Sequence, residues 1–270
     1  MLATASSQTV ERDVPYGSDP RQRLDVYLPN KKPFATLVFV HGGSLETGDK
    51  ADDDYRGVCP SLVGRGFACV SINYRMFDTD RWPAPAEDTA AATAWVRRNI
   101  SSRGGDAKRI FLFGHSSGAR LVTLIGTDAS YLRKYDMKPS DLQGVIGAGS
   151  IMWDEEFEQA AARATREQIE KAFASDYRWY GNVETYRDSW PMKHVGPGLP
   201  PMLLLIAESE EEQPPVLRNA QRFTAEMKKN GNRAQYRILP ARTHMATVRR
   251  FGEKGDPALA AVAEFVTGQR

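Results

Sequence analysis

Short runs that are apolar at every or nearly every position recur along the chain: Leu37–Val40, Ala68–Ile72, Ile110–Phe113, Val145–Ala148 and Met202–Ile206. A strand wetted on one face would alternate apolar and polar residues. Unbroken runs of this length predict parallel strands covered on both faces. Arg23–Leu28 does alternate, which predicts an edge or antiparallel strand, and Ala234–Leu239 is a further strand candidate. Between these runs lie helical segments. Glu87–Ile100 is rich in alanine, and from Pro215 onward Val216, Ala220, Phe223 and Met227 recur at helical spacing until Gly231 supplies a stop. Asp256 followed by Pro257 reads as a helix start, after which Leu259, Val262, Ala263 and Val266 form one apolar stripe.

Strands that alternate with helices predict an α/β domain with a mostly parallel sheet, right-handed crossovers and flanking helices. Residues 1–270 form one domain on this reading, and no repeat or long linker divides them. The exception to the alternation is Trp153–Trp190. It is helix-prone around Ala160–Phe173 and aromatic afterwards, and is expected to be a small inserted cap above the sheet.

Composition narrows the function classes. With 36 basic and 34 acidic residues the net charge is +2, too balanced to favour nucleic acid or an anionic membrane as partner. No apolar run approaches the roughly 18 residues of a membrane span. Met1–Asp13 lacks the apolar stretch of a secretory signal, so a cytoplasmic location is expected. Cys59 and Cys69, the two cysteines, sit among apolar neighbours and are expected to be buried thiols, in keeping with that compartment. Nothing in the pattern calls for a cofactor or metal. The oligomeric state is left open, a homodimer being one option.

The chemistry concentrates at Gly114-His115-Ser116-Ser117-Gly118, a G-x-S-x-G sequence. It follows the run Ile110–Phe113 directly and precedes Ala119–Ile125, a credible helix, which is the strand–turn–helix setting the motif requires. Small residues flank the serine because backbones approach closely in so tight a turn. Ser116 is therefore the candidate nucleophile, and the backbone N–H of Ser117, at a helix start, is a candidate oxyanion donor. A second donor should come from His41-Gly42-Gly43-Ser44, which follows the strand run Leu37–Val40. Gly43 and Ser44 are the candidates, and His41 is expected to brace the loop.

Four histidines compete for the base. His41 precedes the nucleophile, His115 adjoins it on a strained turn, and His194 lies ahead of the last strands in a proline-rich loop. His244 follows the strand candidate Ala234–Leu239, late in the chain, where a Ser–acid–His order places the base. The acid is expected in Ala207-Glu208-Ser209-Glu210-Glu211-Glu212. Glu210, three residues past the small Ala207, is the first choice. Glu208, Glu211 and Asp154 remain alternatives.

The opening Tyr16–Tyr27, His41-Gly42-Gly43-Ser44 with Gly48-Asp49-Lys50, Asn73-Tyr74-Arg75, Pro83–Asp88 and Gly114–Gly118 together resemble the esterase/lipase branch of the α/β-hydrolase superfamily, which includes acetyl-ester and feruloyl-type esterases and kynurenine formamidase. The resemblance runs from about Tyr16 to Val266 and is weakest across the insertion. It implies an α/β-hydrolase fold, a Ser116–His244–Glu210 triad and an oxyanion hole in the loop from Gly42. Leu45 stands where the family usually has Trp, Ser117 replaces the commoner Ala, and Glu210 replaces the usual Asp. Asp49 and Lys50 are read as loop structure and Asp88 as a helix-start residue. Leu45, Met152 and Trp153 are expected to line the substrate pocket. The expected activity is hydrolysis of a small-molecule, short-chain acyl ester through an acyl-enzyme. A formamide or amide hydrolase with the same triad is the alternative within enzymes, and a non-catalytic ligand-binding member of the fold the alternative outside them.

Overall fold

In the computed structural model, which describes residues 9–175, 177–211 and 214–269, eight strands form one sheet in the order β1-β2-β4-β3-β5-β6-β7-β8. The strands are β1 (Thr9–Pro15), β2 (Arg23–Leu28), β3 (Phe34–Val40), β4 (Ala68–Ile72), β5 (Gly105–His115), β6 (Gly144–Ala148), β7 (Met202–Ala207) and β8 (Ala234–Leu239). From β4 through β8 all neighbours pair in parallel, while β2 joins β4, and β1 joins β2, antiparallel. The expected architecture is therefore present. Sequence reasoning passed over β1, an exposed edge strand whose pairing with β2 shifts register between Glu11 and Val14, so its apolar positions do not alternate cleanly.

Helices cover both faces. They are α1 (Val58–Gly64), α2 (Ala84–Asn99), α3 (Ser117–Thr127), α4 (Ala129–Arg133), α5 (Glu155–Ala161), α6 (Arg166–Ser175), α7 (Val183–Asp188), α8 (Glu208–Glu211), α9 (Pro214–Lys229), α10 (Ala246–Arg249) and α11 (Pro257–Gly268). Side chains alternate across the pleat, so the unbroken apolar runs divide between two cores. Val38, Val40 and Leu112 pack with residues of α2, α3 and α9. Leu37, Phe39, Phe111 and Phe113 pack with residues of α1 and α11. The last helix starts as expected, its Asp256 carboxylate accepting from the N–H groups of Ala258 and Leu259. Among the described residues, no helix is long and apolar enough to cross a membrane.

Two expectations are corrected. Cys59 and Cys69 are bonded to each other, with Cα atoms 5.1 Å apart, rather than being separate thiols. Cys59 lies on α1 and Cys69 on β4, and the pairing arises because that helix packs back on the strand that follows it. Apolar neighbours in sequence cannot report such a contact. The bonded pair removes the cysteine-based reason for expecting a reducing compartment. Asp88 is not a helix-start residue, because α2 begins earlier, at Ala84. Its buried carboxylate instead receives the Arg75 guanidinium at 2.7 Å and the Gln22 amide at 2.7 Å.

Between β6 and β7 the chain makes its long excursion, and the helix expected around Ala160–Phe173 is two helices, α5 and α6, broken at residues 162–165. Phe157, Phe173, Tyr177 and Tyr186 pack edge to face or stacked within it. It meets the rest of the molecule through Phe77 stacked on Trp179 and through the Arg120 guanidinium of α3, 4.3 Å from the Trp190 ring centre.

Candidate active site

β5 ends at His115 and α3 begins at Ser117, which leaves Ser116 alone to turn the chain. It does so at φ 54°, ψ −126°, a conformation costly for any residue with a side chain. Such strain persists only where the surroundings hold it. Here the Ser116 N–H donates to the Ala148 carbonyl at the end of β6 (2.8 Å). A glycine at 118 is obligatory, since a Cβ there would come within 2.3 Å of the Val40 carbonyl oxygen. The start of α3 is thereby seated against the end of β3.

That contact brings the His41–Ser44 loop beside the serine. A Cβ on Gly42 would sit 2.8 Å from the Ser116 Cβ. The Gly42 N–H is already committed to the Tyr55 hydroxyl at 3.0 Å. Gly43 (φ 117°), Ser44 (φ 58°) and Leu45 (φ 65°) follow in a left-handed run, which leaves Gly43 and Ser44 as the loop's candidate oxyanion donors. The Ser117 N–H lies in the first turn of α3, where backbone donors have no partner within the helix. His41 braces this loop as expected. Its buried ring stacks on Tyr74 at 4.6 Å, and its Nδ1–H donates to the Gly42 carbonyl at 2.7 Å. Burial lowers its pKa below the usual histidine value, so the ring is neutral near pH 7.

Beyond β7, the short helix α8 carries Glu210 inward. One carboxylate oxygen of this buried side chain accepts the Ala207 N–H at 2.8 Å, and the other lies 2.6 Å from His244 Nδ1. His244 comes from the loop after β8 and is partly exposed. A Cβ on Gly149 would stand 2.8 Å from His244 Nδ1 and 3.1 Å from Glu210 Oε1. Gly149 directly follows Ala148, the residue that holds the Ser116 N–H. Serine and the imidazole–carboxylate pair thus border one short stretch of backbone, at the C-terminal edge of β5, β6 and β7.

The competing residues are occupied elsewhere. Glu208 accepts the Ala241 N–H at 2.9 Å. Asp154 caps α5 through the Phe157 N–H and also binds the Tyr186 hydroxyl. The side chain of Glu211 lies outside the described residues. His194 Nε2 bonds the Asp188 carbonyl at 2.7 Å, a loop brace. Lys50 is buried against Asp13 and Asp25, and Asp49 accepts the Ala51 N–H, so both serve loop structure. Of the expected pocket residues, Leu45 and Met152 are buried in the core, and the Trp153 ring lies 5.0 Å from the Arg222 guanidinium of α9.

Three residues were not legible as contributors to this edge. Tyr55 belongs to no motif. His115 proves to hold the loop that carries His244, its Nε2 lying 3.0 Å from the His244 carbonyl oxygen. Burial, followed by the nearby His244, brings the His115 pKa down to about 4. Arg120 sits one turn after Ser116 among Trp82, Tyr180 and Trp190, and donates to the Tyr180 hydroxyl. An arginine as the one charged residue of α3 was the available signal for it.

Comparison with known proteins gives a consistent picture. The BD-FAE family profile matches residues 24–220. Esterase LipC of Mycobacterium tuberculosis is 32% identical over 205 residues, which are 72% of this chain and 49% of LipC. The chain therefore spans about half the length of that relative. Among solved structures, the propionate-bound esterase Est2 of Thermogutta terrifontis superposes with a TM-score of 0.70 at 20% identity, covering 97% of this chain and 92% of Est2. A truncated carbohydrate esterase from gut microbiota superposes with a TM-score of 0.74 at 19% identity, covering 99% and 98%. At such identities the structural likeness shows the fold, which is that of the α/β-hydrolases.

Proposed function

The chain belongs to the BD-FAE family, and on that premise we propose that it hydrolyses carboxylic esters with short acyl groups, using Ser116, His244 and Glu210. The observation that carries this reading is the 2.6 Å contact between His244 Nδ1 and the buried Glu210, formed at the strand edge where Ser116 turns the chain. Glu210 accepts a hydrogen bond from Nδ1–H and holds the proton on that nitrogen, which leaves Nε2 with a free lone pair to act as base. That nitrogen takes the Ser116 proton as the oxygen adds to the ester carbonyl. The resulting oxyanion is met by backbone N–H groups of Ser117 and the Gly43–Ser44 turn. Collapse expels the alcohol, which takes the proton from His244 and leaves an acyl-serine. Water, deprotonated by the same nitrogen, then releases the acid and restores Ser116.

Short acyl groups are supported by what surrounds the loop. Leu45 and Met152 are buried rather than lining open space, and the helical insertion packs onto α3 through Arg120, where it would act as a cap. A series of p-nitrophenyl esters tests the reading. Acetate and butyrate should give kcat/KM at least about tenfold above octanoate. The Ser116→Ala variant should lose about 10⁴-fold or more in kcat while keeping the wild-type circular dichroism spectrum. A preference for octanoate would refute the short-chain assignment, and near-wild-type turnover by Ser116→Ala would refute the nucleophile.

A further inference from the structure

Tyr55 and His115 lie between the two loops that the ester-hydrolase reading needs, and neither has a part in the chemistry itself. The hydrogen-bonding capacity of the groups around them fixes most of the protons. The His244 carbonyl can only accept, so His115 Nε2, 3.0 Å away, must carry a proton. Desolvation keeps the His115 ring neutral down to about pH 4, so its Nδ1 carries none and can only accept. The hydroxyl of Tyr55 lies 3.5 Å from that Nδ1. Its oxygen already accepts the Gly42 N–H at 3.0 Å, which leaves the hydroxyl proton free to point at His115. Burial raises the Tyr55 pKa, so the proton stays on the oxygen.

We propose that Tyr55 and His115 are positioning residues, forming one directed chain from the Gly42 N–H through the Tyr55 hydroxyl and the His115 ring to the His244 carbonyl, which sets the oxyanion loop and the base loop relative to each other. This rests on the ester-hydrolase reading of the site. The chain runs behind Ser116, through the residue that precedes it, so both loops are referred to the nucleophile's own strand. Its far end is firmly held. Tyr55 is buried, its ring 5.6 Å from Phe39 and 5.9 Å from His115. Its carbonyl accepts the Val58 N–H at the start of α1, and Cys59 of that helix is bonded to Cys69 of β4. At the near end, the His115 and His244 rings lie 4.6 Å apart, so a shift of His115 displaces the base directly. Loss of the Tyr55 hydroxyl would strand a buried Gly42 N–H beside the Gly43–Ser44 donors.

The test uses the full chain with p-nitrophenyl acetate. Tyr55→Phe, which keeps the ring, is expected to lower kcat about 10- to 30-fold with KM changed less than about threefold, as for disturbed transition-state contacts rather than lost substrate binding. His115→Gln should do the same. The double variant should fall no more than about threefold below the worse single variant, because both break one chain. Nitrogen-15 NMR of the wild-type imidazoles supplies a readout independent of activity and of variant folding. At neutral pH His115 should be the neutral tautomer protonated on Nε2, and Tyr55→Phe should shift its Nδ1 resonance. A proton on Nδ1 instead, a Tyr55→Phe kcat within about twofold of wild type, or single effects that multiply would overturn the proposal. A wild-type chain that hydrolyses no ester would sink the functional reading, while the tautomer would still decide whether the chain of bonds exists.

Discussion

Two carboxylates stand beyond the ends of adjacent parallel strands, Glu210 after β7 and Asp154 after β6, and their surroundings put them to different uses. Glu210 lies three residues past the end of its strand, on a helix of one turn. One oxygen is anchored by the Ala207 N–H and the other is left to face His244. Asp154 lies six residues past Ala148, at the start of α5, where unpaired backbone donors compete for any carboxylate. It answers the Phe157 N–H and the Tyr186 hydroxyl, and so fastens the insertion. The difference teaches that strand order alone does not select the acid. What separates the two is the partner of the second oxygen, which is the His244 ring for Glu210 and the Tyr186 hydroxyl for Asp154.

The sharpest way to break this comparison is to neutralise each carboxylate without changing its shape. Glu210→Gln should lower kcat on p-nitrophenyl acetate by about 10³- to 10⁴-fold, since an amide cannot stabilise the imidazolium that forms during reaction. A loss below about tenfold would assign the role elsewhere. An intermediate effect concerns stability on the Glu210 side, where His115 packs against His244. A buried histidine whose folded pKa is about 4, against an ordinary 6.5, binds fewer protons folded than unfolded between those values. Stability should therefore be full above pH 6.5 and fall as the pH drops toward 4, by roughly 2 kcal/mol between pH 7 and pH 5. Buried His41 adds to the loss in the same direction. Urea unfolding midpoints at the two pH values check the slope, and His115→Gln should reduce it. The smallest effect belongs to Asp154→Asn. It should cost about 1 kcal/mol of stability by weakening one cap and one hydroxyl contact, and leave kcat within about threefold of wild type.

Much of the sheet was legible because its inner strands are buried on both faces, so Ala68–Ile72 could be bounded from the apolar pattern itself. The elbow was legible for a different reason: Gly118 meets a steric demand that only one residue type satisfies. What sequence could not supply was contact between distant segments. The Cys59–Cys69 bond depends on α1 folding back on β4, and the part played by Tyr55 depends on its reaching Gly42, thirteen residues away, across a loop. Glu210 fell between these cases. Its distance past β7 favoured it, but the exclusion of Glu208 and Asp154 came only from the Ala241 and Phe157 amides that engage them.

The central claim is that one hydroxyl, that of Ser116, is made nucleophilic by the His244–Glu210 pair. Peptide mass spectrometry after exposure to a fluorophosphonate probe tests it most directly. The account predicts a single adduct on the peptide containing Ser116, absent in Ser116→Ala and formed at least about 100-fold more slowly in Glu210→Gln. A hydrolytically active chain that carries its adduct on another residue, or that reacts at Ser116 equally fast without the Glu210 carboxylate, would contradict it.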